Sequence, residues 1–404
     1  MRLGFIVGGL EAGKDGVGDY TSALLAECIA LGHEVTVVAL NDFYIREALA
    51  KDVCVDGGSY KAIRLPSNSC WKKRCERTLE HCRSFEPDWL SLQFVPYAFH
   101  PKGINLWLGE RLAPVFALGK CHIMFHELWI GESTDYSLKD RAVGLLQKRG
   151  VIRLLRKLAP ALVHTSNPVY GELLKRNNQP SLELPLPGSI PLVQTDSNRL
   201  RIRAVSKEQS EMESFGRLVV VAGIFGTIHP QWSPEGWLEI LCTYLLEQRK
   251  RLLILQIGHT PNAGRMIWKL MQKEFSDRCD FKELGSLSSE QVSTAFSGLD
   301  FGIATSPWAL IGKSSSTAAM IDHGIPVVVP LENWRLRKGK TPEPARHPLL
   351  FRFDEFLALV RSGKLARSAA CSRRSAVAQQ MIGQMCENNR ASERMSWPVV
   401  GSRF

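Results

Sequence analysis

Leu3-Gly4-Phe5-Ile6-Val7, followed by Gly8-Gly9-Leu10-Glu11-Ala12-Gly13-Lys14-Asp15-Gly16-Val17-Gly18-Asp19-Tyr20, is a short apolar run that breaks into a glycine-rich loop. A run of this kind, without polar alternation, suits a strand covered on both faces and therefore a parallel sheet. Val17, Tyr20, Leu24, Leu25, Cys28 and Leu31 then mark one apolar helical face, and Gly32 ends that helix. The same order of strand, loop and helix returns along the chain. In the first half the strand candidates are Leu3–Val7, Glu34–Leu40, Ala62–Leu65, Trp89–Phe94, His122–His126 and Ala161–Thr165. In the second half they are Leu218–Ile224, Leu252–Ile257, Cys279–Leu284, Asp300–Ala304, Ile325–Val329 and Leu349–Phe353. The segments between them are long enough for crossover helices.

Between the halves lies Gln194–Gly216, rich in Ser, Arg, Glu and Asn, behind the proline-rich Pro185-Leu186-Pro187-Gly188-Ser189-Ile190-Pro191. This layout places a first domain at 1–193, a linker at 194–216, a second domain at 217–370 and a basic C-terminal helix or tail at 371–404. The expected fold class is α/β: two Rossmann-like, doubly wound parallel-sheet domains facing each other across a cleft. Ligands of such sheets bind beyond the carboxyl ends of the strands, so chemistry belongs in the loops that follow each strand.

Composition narrows the function. With 404 residues, 45% apolar and 23% charged, the chain is an ordinary globular protein of about two domains. No apolar run approaches the roughly 18 residues of a membrane helix. The N-terminal MRLGFIVGGL lacks a small-residue cleavage site, so it reads as a buried strand and the expected compartment is the cytoplasm. The ten cysteines sit mostly in apolar company, as Cys28, Cys121 and Cys242 do, which suits reduced core thiols. Cys70, Cys75 and Cys82 with His81 match no zinc spacing, and no metal is expected. The net charge is 51 − 40 = +11, and residues 361–404 carry eight basic and two acidic residues, +6 of that total. A basic surface favours anionic partners. No zinc finger, RNA-binding aromatic signature or recognition helix accompanies it, so nucleic acid is not an expected partner.

Two loops carry the chemistry. Gly16 and Gly18 open a helix whose N-terminal amides suit anionic or hydroxyl groups. A dinucleotide-binding loop would read Gly-x-Gly-x-x-Gly directly after the strand; here Thr21 replaces the third glycine and Gly16 lies eight residues beyond Gly8. Asp42, at the end of the second strand, keeps a ribose-binding acid and an NAD-dependent oxidoreductase as a competing assignment. In the second half Gly312-Lys313-Ser314 imitates the end of a P-loop, but Pro307 occupies the earlier glycine position, which excludes that ATPase motif. Lys313 with Ser314, Ser315 and Ser316 at the entry to a helix suits a diphosphate, and Ser314 or Ser315 also suits an N-cap. His126, His229 and His259 each follow a strand, and all three are expected to face one cleft.

Taken together these residues resemble the GT-B glycosyltransferases, most closely the retaining branch related to glycogen synthase and bacterial mannosyltransferases. The carriers are Gly16-Val17-Gly18-Asp19-Tyr20-Thr21 with Gly32-His33-Glu34-Val35, Gln93-Phe94-Val95-Pro96-Tyr97, His126-Glu127, Phe225-Gly226-Thr227 and Gly324-Ile325-Pro326-Val327-Val328, spread over about residues 1–330. The resemblance implies transfer of a sugar from a nucleoside-diphosphate sugar to an acceptor hydroxyl, with retention and without metal or other cofactor. The acceptor, a carbohydrate, a lipid-linked or a small molecule, would sit against the first domain and the donor on the second. His126, Asp19 and Lys313 are the implied catalytic candidates. Gly16, Gly18, Gly226, Thr227, Gly258, His259, Leu284, Gly285, Gly312, Ser314, Ser315 and Ser316 are the implied donor-binding residues.

The chain departs from that branch at two places. Counting back from Gly324, its paired glutamates fall at Ile311 and Ala319, and its Arg/Lys diphosphate clamp is missing from Phe225–Trp237. A sugar-nucleotide-binding protein without transfer activity therefore competes, as does an epimerase or hydrolase of nucleotide sugars. In Lys139–Leu158, Lys148, Arg149, Arg153, Arg156 and Lys157 alternate with Leu145, Leu146, Ile152, Leu154 and Leu155. That pattern fits a core-packed helix with a wet basic face, or one lying on the inner face of an anionic membrane.

Overall fold

The computed structural model describes residues 1–193, 218–229, 231–258, 260 and 262–396. The linker expected at 194–216 and the site candidate His259 lie outside the described residues. The chain divides into two compact units, one of Met1–Pro185 with Arg374–Phe404, the other of Leu186–Arg373.

Among the described residues the strands are β1 (Arg2–Val7), β2 (Glu34–Asp42), β3 (Leu49–Val55), β4 (Gly58–Pro66), β5 (Trp89–Phe94), β6 (Lys120–Phe125), β7 (Leu162–Thr165) and β8 (Leu182–Glu183) in the first unit. The second holds β9 (Leu218–Phe225), β10 (Lys250–Ile257), β11 (Cys279–Gly285), β12 (Phe301–Ile303), β13 (Val327–Val329) and β14 (Leu350–Arg352). The helices of the first unit begin with α1 (Gly16–Ala30), α2 (Trp71–Phe85), α3 (Pro96–Phe99), α4 (Leu108–Phe116), α5 (Leu138–Leu158) and α6 (Pro168–Lys175). Those of the second are α7 (Trp237–Glu247), α8 (Asn262–Phe275), α9 (Ser289–Ser297), α10 (Ser315–Asp322) and α11 (Phe353–Arg361), with a 3₁₀ turn at Trp308–Lys313 before α10. The chain then returns to the first unit as α12 (Arg374–Ser396).

The two sheets are separate. The first runs β3-β4-β2-β1-β5-β6-β7-β8 and the second β11-β10-β9-β12-β13-β14. Every pairing is parallel except the β3–β4 hairpin. The burial of β9, β10 and β13 shows why these strands read as apolar runs. Val221, Leu253, Leu255, Ile257, Val327 and Val329 enter one core with α9 and α10. Ala222, Ile224, Leu252, Ile254 and Val328, their alternating neighbours, enter a second core with α7, α8 and α11. Side chains alternate between the faces of a strand, so both faces must be apolar when helices cover both.

In each sheet the chain reverses its direction of travel once, between β1 and β5 in the first and between β9 and β12 in the second. Crossovers leave on opposite faces at that point and open a crevice at the carboxyl edge. Helix α1 covers the first switch point. Asp15 caps it by accepting from the amides of Val17 and Gly18, and Gly32 at φ +80° closes it, with the His33 amide donating back to the Cys28 carbonyl.

Strands β3 and β8 have no counterpart among the strands read from the sequence, whereas β4 contains the expected Ala62–Leu65. Strand β3 is mostly exposed and lacks an apolar run, although Asp56-Gly57 at its turn is a hairpin signal. In the basic C-terminal stretch several described residues are tied into the fold. Arg367 donates to the carbonyls of Phe296, Ser297, Leu299 and His323, and Arg373 pairs with Asp322. In α12, Val377, Ala378, Met381 and Met385 are buried, and the helix packs against α1.

Phe296 is fully buried between Phe225 and His323, in edge contact with both rings. Phe296→Ala is expected to destabilise the second unit by about 3–5 kcal/mol, measured as a lowered urea midpoint. A change within about 0.5 kcal/mol would show that this core does not hold the unit together.

Candidate functional site

The loop after β1 is built by its own polar residues. Asp42 at the end of β2 is fully buried, and its carboxylate accepts from Arg64 Nε at 2.7 Å, the Leu10 amide at 3.3 Å and the Tyr44 amide at 3.0 Å. Arg64 reaches on to Glu11 at 2.7 Å, so one guanidinium joins β4, β2 and the loop. This commitment takes Asp42 away from the ribose of a dinucleotide and removes the basis of the oxidoreductase assignment. Gly18 makes the loop possible: a Cβ there would lie 2.7 Å from the Gly9 carbonyl oxygen. Gly16 is the exposed first residue of α1. Asp19 accepts the Gly13 amide on both oxygens, at 3.0 and 3.1 Å, and is half-buried. Burial, and then the neighbouring Asp15, raise its pKa; burial also raises that of Asp15.

His126 lies just beyond β6 and is buried against the edge of Tyr20, with ring centroids 4.8 Å apart. Burial depresses its pKa to about 3, so the imidazole is neutral at physiological pH. Its Nε2 is 2.9 Å from Gln93 Oε1. An amide oxygen only accepts, so Nε2 carries the proton and Nδ1 is the acceptor nitrogen. Gln93 donates in turn to Ser91 at 2.7 Å, Ser91 meets His122 Nδ1 at 2.8 Å, and His122 Nε2 meets His164 Nδ1 at 3.0 Å. This buried polar chain crosses β5, β6 and β7 and sets the orientation of His126. The sequence drew attention to Gln93 but not to Ser91, His122 or His164, whose contacts join residues far apart in the chain.

In the second unit the candidates converge on the carboxyl edge of the sheet. Gly226, Gly258 and Gly285 stand beyond β9, at the end of β10 and at the end of β11, with φ of +81°, +94° and +68°. They are joined in a row: the Gly226 amide donates to Ile257 O and the Gly258 amide to Gly285 O, both at 2.9 Å. Left-handed backbone of this kind strains other residues, so three glycines here give a shelf of peptide groups without side chains. Gln256 pins the shelf from below, donating to Gly226 O at 2.9 Å and to Thr260 at 2.7 Å. The exposed Thr227 follows, its carbonyl accepting from Thr305 Oγ1 at 2.9 Å across the switch point. Leu284 packs partly onto the core beneath.

Helix α10 arrives beside this shelf. Ser314 caps it, accepting from the Thr317 amide at 3.2 Å, and its hydroxyl meets Ser316 at 3.1 Å. A Cβ built on Gly226 would lie 3.8 Å from Ser316 Cβ, so the shelf and the helix N-terminus share one place. Gly312 and Lys313 end the 3₁₀ turn just before it, half-buried, with Ser315 and Ser316 at the same level of exposure. The glutamate positions of the resembled branch are closed: Ile311 and Ala319 lie in the core. Gly188 packs so tightly there that a Cβ on it would come within 2.8 Å of Ala319 Cα.

Two measurements test the electrostatics of the first unit. The unfolded histidine titrates near 6.5, whereas His126 and His164 are held at about 3 and about 4. Their neutral state therefore supports folding fully above about pH 6.5, and each loses about 1.4 kcal/mol per pH unit as pH falls toward its folded value. His126→Gln is expected to flatten the fall in urea midpoint between pH 7 and pH 5; an unchanged pH profile would place the imidazole in a far wetter site. Arg64→Ala leaves Asp42 as a buried, unneutralised carboxylate and is expected to cost about 3–5 kcal/mol of stability by the same method. A loss below about 1 kcal/mol would mean that this ion pair does not support the loop.

No protein-family model and no curated protein matches the chain. Solved structures do. The catalytic domain of starch synthase IV from Arabidopsis thaliana, bound to ADP and acarbose, is 12% identical and is covered over 98% of its length by 97% of this chain, at a TM-score of 0.53. HepE from Anabaena, in complex with UDP and glucose, is 13% identical over 98% of this chain and 99% of its own, at 0.51. The α,α-trehalose 6-phosphate synthase from Burkholderia multivorans is 9% identical over 100% of this chain and 99% of its own, at 0.57. Identities this low speak for architecture alone, and that architecture, followed from end to end, is the two-sheet GT-B fold.

Proposed function

We propose that the chain is a glycosyltransferase that moves a sugar from a nucleoside-diphosphate sugar to an acceptor hydroxyl. The observation that carries this is the left-handed row Gly226, Gly258 and Gly285 beside the capped N-terminus of α10. In this assignment the diphosphate lies between Gly226-Thr227 and Gly312–Ser316. Gly258, Leu284 and Gly285 line the nucleoside. The ADP and UDP bound by the starch synthase domain and by HepE support a nucleoside diphosphate as the ligand.

Lys313 supplies a cation, and Ser315 and Ser316 present the positive end of α10, to a leaving group that gains negative charge as the anomeric C–O bond breaks. These groups take the role of the missing Arg/Lys clamp and of a metal. On the first unit Gly16, Gly18, Asp19 and His126 are the residues assigned to acceptor and sugar recognition. A conjugate acid near pKa 3 makes His126 a weak base, so its Nδ1 orients a hydroxyl rather than deprotonating it. Asp19 accepts the Gly13 amide and keeps lone pairs on both oxygens for a hydroxyl. In the retaining course assigned here the acceptor proton passes to the departing phosphate oxygen, on the face that the leaving group vacates. The acceptor is a carbohydrate, a lipid-linked or a small glycoconjugate precursor met at the cytoplasmic side. A second assignment, a sugar-nucleotide-binding protein without transfer, is favoured by the buried apolar Ile311 and Ala319.

A thermal-shift series with UDP, GDP, dTDP, ADP and NAD tests the ligand class. Stabilisation by one nucleoside diphosphate and not by NAD is expected, with Lys313→Ala weakening that binding by about tenfold. Release of free nucleotide that depends on added acceptor, with the product anomer read by NMR, separates transfer from binding alone. Stabilisation by NAD alone, or Lys313→Ala binding like the parent, overturns this assignment of the shelf.

A further inference from the structure

The outer face of α5 carries cations and large apolar side chains together. Its inner face is already satisfied: Val151, Leu154, Leu155 and Leu158 are buried, and Gly144 and Gly150 let the Ile130 carbonyl and the Asn105 backbone pack directly against the helix. Packing therefore makes no demand on the outer residues. Yet Leu138 and Leu145 are 80% and 58% exposed there, and Trp107, which precedes α4, is 57% exposed with the Arg153 guanidinium 4.6 Å over its ring. Lys148, Arg149, Arg153, Arg156 and Lys157 surround a groove of about 590 Å³ between α4 and α5, floored by Leu145 and Ile152. Glu110 is the acid among its lining residues, and it is paired with Arg153 at 2.6 Å. Among the described residues no acidic side chain is paired with Arg149 or Arg156.

We propose that this face of α5, with Trp107 at its edge, docks on a bilayer carrying anionic headgroups. Charge complementarity selects an anionic surface: five cations against one paired acid draw headgroup phosphates into the groove. The exposed leucines select a bilayer among anionic surfaces. A helix lying in the interface sinks leucines to the headgroup–acyl boundary, holds a tryptophan at headgroup level and lets lysine and arginine stems reach outward to phosphate. A polyanion in water gives Leu138 and Leu145 nothing to enter. No helix among the described residues is long and apolar enough to cross a membrane, so the contact is one of surface attachment. Docking stands apart from the transferase assignment, and its readout does not depend on turnover.

Co-sedimentation of the full chain with vesicles tests it. The vesicles are phosphatidylcholine alone, or phosphatidylcholine with one third phosphatidylglycerol, at low and at high salt. Pelleting with the anionic vesicles and not with the neutral ones is expected. Reversal of two exposed charges, Arg149→Glu with Arg156→Glu, is expected to weaken partition by more than about tenfold. Leu138→Ser with Leu145→Ser is expected to weaken it several-fold and to make the remaining binding fully salt-sensitive. Far-UV circular dichroism and melting temperature confirm that each variant is folded. Failure to pellet with anionic vesicles, or equal pelleting of the charge-reversed chain, overturns the proposal. Leucine variants that bind as the parent does, or parent binding to duplex DNA as tight as to vesicles, also overturn it by assigning the face to polyanions in general.

Discussion

A parallel sheet covered on both faces must carry its chain over one face or the other after every strand, and at one point the direction of travel changes. In the second unit that point lies between β9 and β12, and the site depends on it. The loops after these two strands diverge and are held together by Thr305 bonding to Thr227. Beyond the carboxyl edge the backbone must turn out of the sheet at once, which puts Gly226, Gly258 and Gly285 into left-handed conformations that side chains resist. The same edge receives the N-terminus of α10, where the first turn has amides without helical partners. Turn geometry thus produces both the space and the positive potential that a diphosphate requires.

The first unit reaches a comparable loop by different means. Its glycines are set less by backbone torsion than by close approach, Gly18 against Gly9 and Gly8 against Ala98. Ion pairing through Arg64 and capping by Asp15 hold the loop in place, so its acids are structural before they are chemical. Desolvation outweighs hydrogen bonding at Asp15, Asp19 and His126 alike. For the carboxylates that raises affinity for a proton; for the imidazole it lowers it. The buried chain from His126 through Gln93, Ser91 and His122 to His164 then holds a neutral ring in one orientation, an arrangement suited to positioning a hydroxyl.

The apolar runs at Leu3–Val7, Trp89–Phe94 and Leu252–Ile257 were legible because burial on both faces removes polar residues from a strand. Helix α1 was legible from its apolar spacing and from Gly32. Strand β3 was not: an exposed edge strand needs few apolar residues, and Asp56-Gly57 was its one local sign. Nor did the basic count near the C-terminus reveal its use. Arg367 and Arg373 are consumed by carbonyls and by Asp322, partners at least 44 residues away along the chain. Counting identified Ile311 and Ala319 as departures from the resembled pattern. The tight approach of Gly188 to Ala319 supplies the physical reason, since a longer side chain has no room there.

The sequence by itself determined the layering, the two sheets and the loops that hold the candidate residues, because strand burial, helix capping and glycine torsion are local properties of a few consecutive residues. Tertiary structure alone decided which of those residues remain available for chemistry. It committed Asp42 to Arg64, made His126 neutral, joined three distant glycines into one shelf beside Ser316 and left the leucines of α5 facing outward. Desolvation and partner choice depend on neighbours contributed from elsewhere in the chain, and no stretch of sequence contains its own neighbours.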